Sequence, residues 1–255
     1  MPRIIKYIFY DILRTRFILL YTVFLLASTI AMFQLDTDTG KVIMSLMNIV
    51  LMVIPLVSIV FTTIHFYNSY EFIELMLAQP VNRKVVYFSE YISTALSLCF
   101  AYLIGVGLPI ILYGISPGSL TLIYVGLMLT LVFVSLAFLA SVLTRDKAKA
   151  IGITLLFWFY FSLIYDGLLL WVIYSFSDYP LDKITVGLVA MNPIDLARIM
   201  MLLKLDISAL MGYTGAFYQN FFGSFTGMAF AASVLVLWIL TPLFIGMRIF
   251  TKKDL

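Results

Sequence analysis

Six apolar runs of a length that crosses a bilayer as a helix constrain the fold of this chain more than any other feature. About 20 helical residues span a hydrocarbon core of about 30 Å. Only 11% of the 255 residues are charged, against about 25% in an ordinary soluble domain. The sequence therefore predicts an integral membrane protein. The runs cover residues 17–33, 42–66, 91–113, 120–143, 150–176 and 227–250.

The secondary structure of these runs follows from the solvent around them. Lipid offers the backbone no hydrogen-bond partner, so a spanning segment must satisfy its own polar groups, as a helix does. The runs also lack the alternation of apolar and polar residues that marks membrane strands. We therefore expect an all-α integral membrane protein with six transmembrane helices.

Basic residues divide unevenly between the two sides of such a bundle. If the N-terminus is cytoplasmic, twelve of the sixteen Lys and Arg residues fall in cytoplasmic segments. Short loops rich in Lys and Arg stay inside the cell, so we expect both termini in the cytoplasm. The long segment 177–226 is then extracytoplasmic, and it is too polar to be one span. No basic cluster suggests binding to nucleic acid.

Residues 1–16 have an amphipathic pattern. Ile4, Ile5, Ile8 and Ile12 recur at helical spacing while the basic residues occupy other positions. This pattern indicates a helix lying on the cytoplasmic face of the membrane. A cytoplasmic extension of the first span is the alternative.

The connector 67–90 between the second and third runs combines an amphipathic turn with a basic end. Its apolar residues share one helical face beside two acids, and a proline ends the helix before the basic pair. Such a helix could dock into a groove of a cytoplasmic partner, although a solvated connector lying on the lipid headgroups is favoured by the sequence alone. The residues concerned are Glu71, Phe72, Ile73, Glu74, Met76, Leu77, Pro80, Arg83 and Lys84.

One acid, Asp166, lies within the fifth run. Inserting an acid at mid-membrane costs at least ~2.5 kcal/mol, so such a group normally faces the bundle interior and a partner. Asp166 is either a polar lock in a conformational pathway or a protonated acid bonded to a neighbouring helix. A further alternative is that it lies nearer the outer interface, because the fifth run is long.

The stretch from Asn192 to Arg198 contains the signals of a helix start. Asn192 suits the N-cap, Pro193 suits the first helical position, and Asp195 is favoured near the positive end of the helix. Arg198, three residues on, can pair with Asp195, and an exposed pair of this kind contributes only about 0.3 kcal/mol. We expect this helix in the outer interfacial layer, where it either shields the bundle or faces an extracytoplasmic partner.

The chain offers few groups for metal binding or catalysis. His65 is the only histidine and is expected near the interface, and Cys99 is the only cysteine. Methionine thioethers bind Cu(I), so the thirteen methionines leave a copper path as an alternative. Because methionine is also ordinary apolar filler and one Cys with one His make a poor metal relay, we predict no metal site. A Gly-x-x-x-x-Gly-Lys-Ser/Thr motif does not occur, so the chain cannot hold nucleotide phosphates itself. We expect a non-catalytic membrane subunit that binds no cofactor.

Together these features resemble the type 2 ATP-binding cassette (ABC) export permeases. Glu71, the amphipathic turn and the sequence Pro80-Val81-Asn82-Arg83 are similar to the coupling-helix region of that family, which also has an N-terminal elbow helix and six spans. The resemblance implies one permease domain, 1–255, with an elbow helix at 1–16 and a coupling region at 67–90. The chain departs from the family at Phe72, where Gly is frequent, and at Glu90, where Lys is frequent.

The second half resembles, in order and spacing, the NosY-type permeases of nitrous oxide reductase maturation. The matching stretches are Asp146-Lys147, the aromatic run 157–161 with Asp166, and 192–198. The resemblance implies a bacterial inner-membrane protein that pairs with a second copy of itself. It also implies two ABC ATPase subunits, which hold ATP and Mg²⁺ and dock on the coupling region, and a periplasmic copper-handling protein. Asn192, Pro193, Asp195 and Arg198 are the residues predicted to face that outer partner.

Other functions stay open on the sequence alone. A generic type 2 exporter of a lipid, drug or other small solute would show the same features. An ion-coupled secondary carrier would be expected to have several midplane charges or duplicated halves. An intramembrane aspartyl protease would need two apposed acids, of which Asp166 supplies one. Co-purification with an ATPase would favour the ABC permease over the carrier and the protease.

Overall fold

The computed structural model describes residues 2–176, 182–205 and 225–252. Over these residues the secondary structure is helical, and six helical stretches are long and apolar enough to cross a membrane. The prediction of an all-α, six-helix membrane protein is thus confirmed. The helices are α1 (Pro2–Leu13), α2 (Arg16–Leu35), α3 (Thr39–Asn68), α4 (Tyr70–Leu77), α5 (Arg83–Tyr102), α6 (Leu108–Tyr113), α7 (Pro117–Leu143), α8 (Lys147–Phe159), α9 (Tyr165–Ser175), α10 (Asp182–Ala190), α11 (Pro193–Lys204) and α12 (Phe225–Lys252).

The spans are α2, α3, α5–α6, α7, α8–α9 and α12. Two of them contain a π-helical turn, at Leu103–Gly107 between α5 and α6 and at Tyr160–Ile164 between α8 and α9. A π turn adds one residue to the helix and disturbs its regular hydrogen-bond ladder, which allows a backbone group to bond outside the helix. In the fifth span, the Phe161 carbonyl oxygen of this turn accepts a hydrogen bond from Asn192.

The central span of the bundle is α7, which packs against α3, α5, α11 and α12. Close approach is possible where one helix carries glycine. Gly126 on α7 leaves room for the ring of Tyr102 on α5, whose hydroxyl donates to the Leu122 carbonyl oxygen at 2.8 Å. Small residues serve the same purpose at many membrane helix interfaces.

The N-terminal helix α1 is separate from the first span, because the helix ends at Leu13 and the next one begins at Arg16. Ile8 and Ile12 are buried while Tyr7 and Tyr10 are exposed, so the helix is amphipathic. It packs along α5, where the Ser93 hydroxyl donates to the Ile5 carbonyl oxygen at 3.1 Å. Its role as an elbow helix on the membrane surface stays a prediction.

The short helix α4 joins α3 to α5 at one end of the bundle, which we call the α4 end. The junction between α7 and α8 lies at the same end, since Lys147 bonds Asn68 there. The loops between α2 and α3 and between α6 and α7 lie at the opposite end, which we call the far end.

Candidate functional site

Helix α4 carries most of the residues predicted to couple the chain to an ATPase. Its apolar face packs on the bundle: Ile73 is 1% exposed, and Phe72 and Met76 are half-buried against the core. In this structure the bundle covers that face, and docking of α4 on an ATPase stays a prediction. The outward face offers both acids and one leucine, followed in the chain by a proline and a lysine. These exposed residues are Glu71, Glu74, Leu75, Pro80 and Lys84.

Side chains at the end of α3 tie α4 to the α7–α8 junction. The Tyr67 hydroxyl lies 2.7 Å from the Thr144 hydroxyl, and the Lys147 ammonium donates to the Asn68 side-chain oxygen at 2.8 Å. Because α4 begins at Tyr70 and α8 begins at Lys147, this joint connects α4 to the fifth span.

A buried ionisable pair lies beside the same joint. His65 Nε2 is 3.4 Å from a carboxylate oxygen of Glu90, and the two residues are 8% and 1% exposed. His65 lies in the last turn of α3, at the α4 end, and Glu90 on α5 lies beside it inside the bundle. The expected location of His65 near the membrane interface stays a prediction. A periodicity argument could not find this pair, because the two residues lie on different helices.

Helices α10 and α11 form a sharply bent pair, with 113° between Ile184–Ala190 and Pro193–Lys204. The corner lies at the level of the middle of the fifth and sixth spans. Trp238 in α12 donates its indole N–H to the Ala190 carbonyl oxygen at 3.1 Å. Asn192 Nδ2 donates at 2.9 Å to the carbonyl oxygen of Phe161, which belongs to the π turn of the fifth span.

Backbone groups near this corner are satisfied by side chains, as a break in a helix within a membrane protein requires. The Asn192 side-chain oxygen accepts from the Ile194 N–H at 3.0 Å and so caps α11. The Tyr165 hydroxyl donates to the Leu188 carbonyl oxygen at 2.6 Å. The N-cap expected from the sequence is present, and its amide also bonds the neighbouring span.

The expected location of this helix in the outer interfacial layer is wrong. Helix α11 packs against α7, α12 and α3, and Asn192 and Asp195 are 0% and 5% exposed. The polar side chains of this helix can be buried in the bundle because they are paired with one another: Asp195 accepts from both Asn192 and Arg198. Pro193 is buried too, and only Arg198 of the four residues predicted to face a partner is partly exposed. Their contact with an outer partner stays a prediction.

Asp166, Arg198 and Asp195 form one ion network between the fifth span and α11. Arg198 Nη1 donates to Asp166 Oδ2 at 2.8 Å and to Asp195 Oδ1 at 3.0 Å. Asn192 Nδ2 donates to the other oxygen of Asp195 at 2.9 Å. The pair predicted three residues apart is present, but it is partly buried rather than exposed. Its link to Asp166, 32 positions away, was not predicted.

The network can hold α11 against the fifth span. Separating a partly buried charge pair costs more free energy than separating an exposed pair. Each group would then be left without its partner in a place where water cannot fully solvate it. Among the described residues, no group of three or more His, Cys, Asp or Glu side chains could hold a metal ion.

Comparison with known proteins agrees with this architecture. The sequence profile of the ABC-2 family transporter proteins matches residues 4–255. The chain belongs to this family and is a permease subunit of an ABC transporter. It is 28% identical, over 148 residues, to the probable ABC transporter permease protein NosY of Pseudomonas aeruginosa, and the match covers 54% of each chain. The chain thus spans about half the length of this curated relative, and the similarity supports a permease of the NosY type.

Proposed function

We propose that this chain transmits ATP-driven movement from a cytoplasmic ATPase, across the membrane, to the outer side. The observation that carries the proposal is the bonding of the fifth span at two levels. At the α4 end it continues from the joint formed by Tyr67, Asn68, Thr144 and Lys147. At mid-depth it holds α11 through Asp166 and Phe161.

In this proposal the outward face of α4 receives the partner ATPase, which binds ATP and Mg²⁺. A shift of α4 moves the end of α3, and the joint passes the shift to α8. The fifth span then displaces the α10–α11 pair as a packed unit, in the manner of other switches built from rigid elements. The work needs no catalytic residue in this chain.

The function served by this movement is proposed from the similarity to NosY-type permeases. We propose that the outer side engages a periplasmic copper-handling protein, and that the movement supports copper-site maturation of nitrous oxide reductase. A network that connects elements without a metal-ligand cluster fits remodelling of such a partner better than passage of copper through the bundle.

We also propose that two copies of the chain pair within the complex. Spans α2, α8–α9 and α12 leave most of their apolar surface exposed, whereas two thirds of the best apolar window of α7 is buried. Lipid covers part of this surface, and a second copy would cover the rest.

The transmission proposal is tested by Tyr67→Phe, which removes the hydroxyl at the joint without removing the ring. In a Cys99→Ala background, a spin label at Met191→Cys would report on the corner between α10 and α11. We expect ATP to change the label's mobility in the reconstituted complex, and Tyr67→Phe to reduce that change at least twofold, because the joint loses its shortest hydrogen bond.

Tyr70→Phe is the matched control, because no hydrogen bond of the Tyr70 hydroxyl occurs in the described part of the chain. Co-purification of the ATPase should be the same for both variants. Equal ATP responses in the two variants would show that the joint does not transmit the movement. Failure of an ATPase to bind the unaltered chain would overturn the proposed function as a whole.

A further inference from the structure

The outward face of α1 carries a groove that plays no part in the proposed transmission. The groove is open, with a volume of about 500 Å³, and every residue that lines it is exposed. Two bases, one acid and two tyrosines form the lining, which contains no aliphatic side chain. The lining residues are Lys6, Tyr7, Tyr10, Asp11 and Arg14.

Helical spacing places the two bases on one stripe of this face. Lys6 and Tyr10 are four residues apart, and Arg14 follows by four more in the turn that ends α1. Side chains at this spacing lie one above another. Tyr7 and Asp11, also four residues apart, form the neighbouring stripe. The opposite face of α1 packs on α5, so the groove points away from the bundle.

Contacts on two sides of α1 place the groove at the level of the lipid headgroups. Phe9 meets the ring of Phe100, near the middle of the third span, edge-on at 6.3 Å between centroids. Tyr7 stacks on Phe72 of α4 at 6.1 Å. Helix α1 thus lies between the apolar middle of a span and the α4 end. Tyrosine is enriched at this boundary, because its ring is apolar and its hydroxyl is polar.

The charge of the lining favours an anion. Within the described part of the chain, the ion pairs involve neither Lys6 nor Arg14. These two bases, set against Asp11, leave one positive charge in excess. A phosphodiester carries one negative charge, and Lys and Arg are common phosphate binders. The lining therefore complements a headgroup that has one net negative charge and a hydroxyl to donate to Asp11.

The start of the first span offers an apolar wall beside this groove. Leu19, Leu20 and Val23 of α2 are exposed, and they follow Arg14 within about three helical turns. A soluble phosphate compound would leave this wall uncovered. The acyl chains of a phospholipid would cover it while the headgroup lies in the groove.

From the charge balance, the level in the membrane and the apolar wall, we propose that the groove binds an anionic phospholipid with a hydroxylated headgroup, such as phosphatidylglycerol. Lys6 and Arg14 donate to the phosphate, Asp11 accepts from a headgroup hydroxyl, and the acyl chains lie against α2. The site goes beyond the proposed transmission function and does not depend on it, because binding requires neither the ATPase nor nucleotide.

Native mass spectrometry of the purified full chain in a non-ionic detergent would count the bound lipids. The probes are phosphatidylglycerol, phosphatidylethanolamine and phosphatidylcholine with identical acyl chains, and glycerol 3-phosphate as a soluble phosphate. We expect one phosphatidylglycerol per chain to bind about fivefold or more tightly than either zwitterionic lipid, and glycerol 3-phosphate at equal concentration not to displace it. Equal binding of the three lipids would overturn the proposal, and displacement by glycerol 3-phosphate would overturn it in favour of a soluble ligand.

A double variant locates the lipid. Lys6→Gln with Arg14→Gln should lower the affinity for phosphatidylglycerol to about that for phosphatidylcholine, because both positive charges of the groove are lost. Arg248→Gln with Lys252→Gln is the matched control. It removes the same charge from exposed positions on α12, at the same end of the bundle, since Phe250 packs on Tyr87 near the start of α5.

The control variant should keep the preference for phosphatidylglycerol. An equal loss in both variants would show general attraction to a basic surface and would overturn the site. Unchanged preference in the Lys6 and Arg14 variant would overturn it too. If that variant instead loses co-purification with the ATPase while its lipid preference is unchanged, the groove belongs to a protein partner and the lipid assignment is wrong.

Discussion

The side chain of Asn192 satisfies the backbone groups at the corner between α10 and α11. Its oxygen caps α11, and its amide nitrogen donates to both Phe161 and Asp195. Each bond satisfies a group that would otherwise be buried without a partner. Asparagine alone among common N-cap residues offers an acceptor and two donors in one short side chain. An Asp at this position could cap the helix but could not bond the Phe161 carbonyl oxygen.

Asn192→Ala should therefore destabilise the chain far more than the loss of an exposed cap would. We expect a loss of about 2–4 kcal/mol, because a missing N-cap costs about 1 kcal/mol and a buried partner left unpaired about 1–3 kcal/mol. Thermal unfolding of the purified chain in nanodiscs measures the change. The neighbouring Met191 is exposed, so Met191→Ala should unfold near the temperature of the unaltered chain; a similar drop in both variants would contradict this account.

The sequence predicted part of this cluster. Asp195 and Arg198 are three residues apart on one helix, so their pairing follows from helical spacing. The contact of Arg198 with Asp166 depends on how α11 folds back on the fifth span, and no local rule contains that information. The contact between His65 and Glu90 likewise depends on how α3 packs against α5. Polar residues made 192–198 look like an interfacial segment because their mutual satisfaction inside the bundle could not be read from composition.

At the scale of elements, interfaces between α7 and its neighbours depend on where glycine lies. A Cβ at Gly126 would collide with the ring and hydroxyl of Tyr102, whereas a Cβ at Gly152 on α8 would meet nothing within 4 Å. Two glycines in similar apolar sequence thus have different roles. Helical periodicity predicted the helices that contain them, but the tight contact depends on the packing of α5 against α7.

Gly126→Ala should force α5 and α7 apart or displace Tyr102 from its bond to Leu122. Overpacking of this kind costs about 1–3 kcal/mol, while Gly152→Ala should be neutral or stabilise by up to about 1 kcal/mol, because alanine restricts the unfolded chain. Unfolding of both variants in the same nanodiscs would give the comparison. Equal stabilities would show that the α5–α7 contact is loose.

At the scale of the whole molecule, the bundle has two ends with different charge. The α4 end bears the basic residues of α1, of the α4–α5 turn and of the α7–α8 junction, and the far end bears the short loops that follow α2 and α6. The number of spans and their order were predictable, since each span is a long apolar run. Which end faces the cytoplasm rests on the positive-inside rule.

Two exposed positions can test this orientation in intact cells. Leu75 on α4 and Ile115 in the α6–α7 loop are 67% and 63% exposed, and Cys99→Ala removes the only native thiol. We expect a membrane-impermeant maleimide to label Ile115→Cys in intact cells and Leu75→Cys only after permeabilisation, because the basic α4 end is retained inside. The reverse labelling would place the termini and α4 outside. An ATPase could then not reach α4, so the same result would also remove the basis of the transmission proposal.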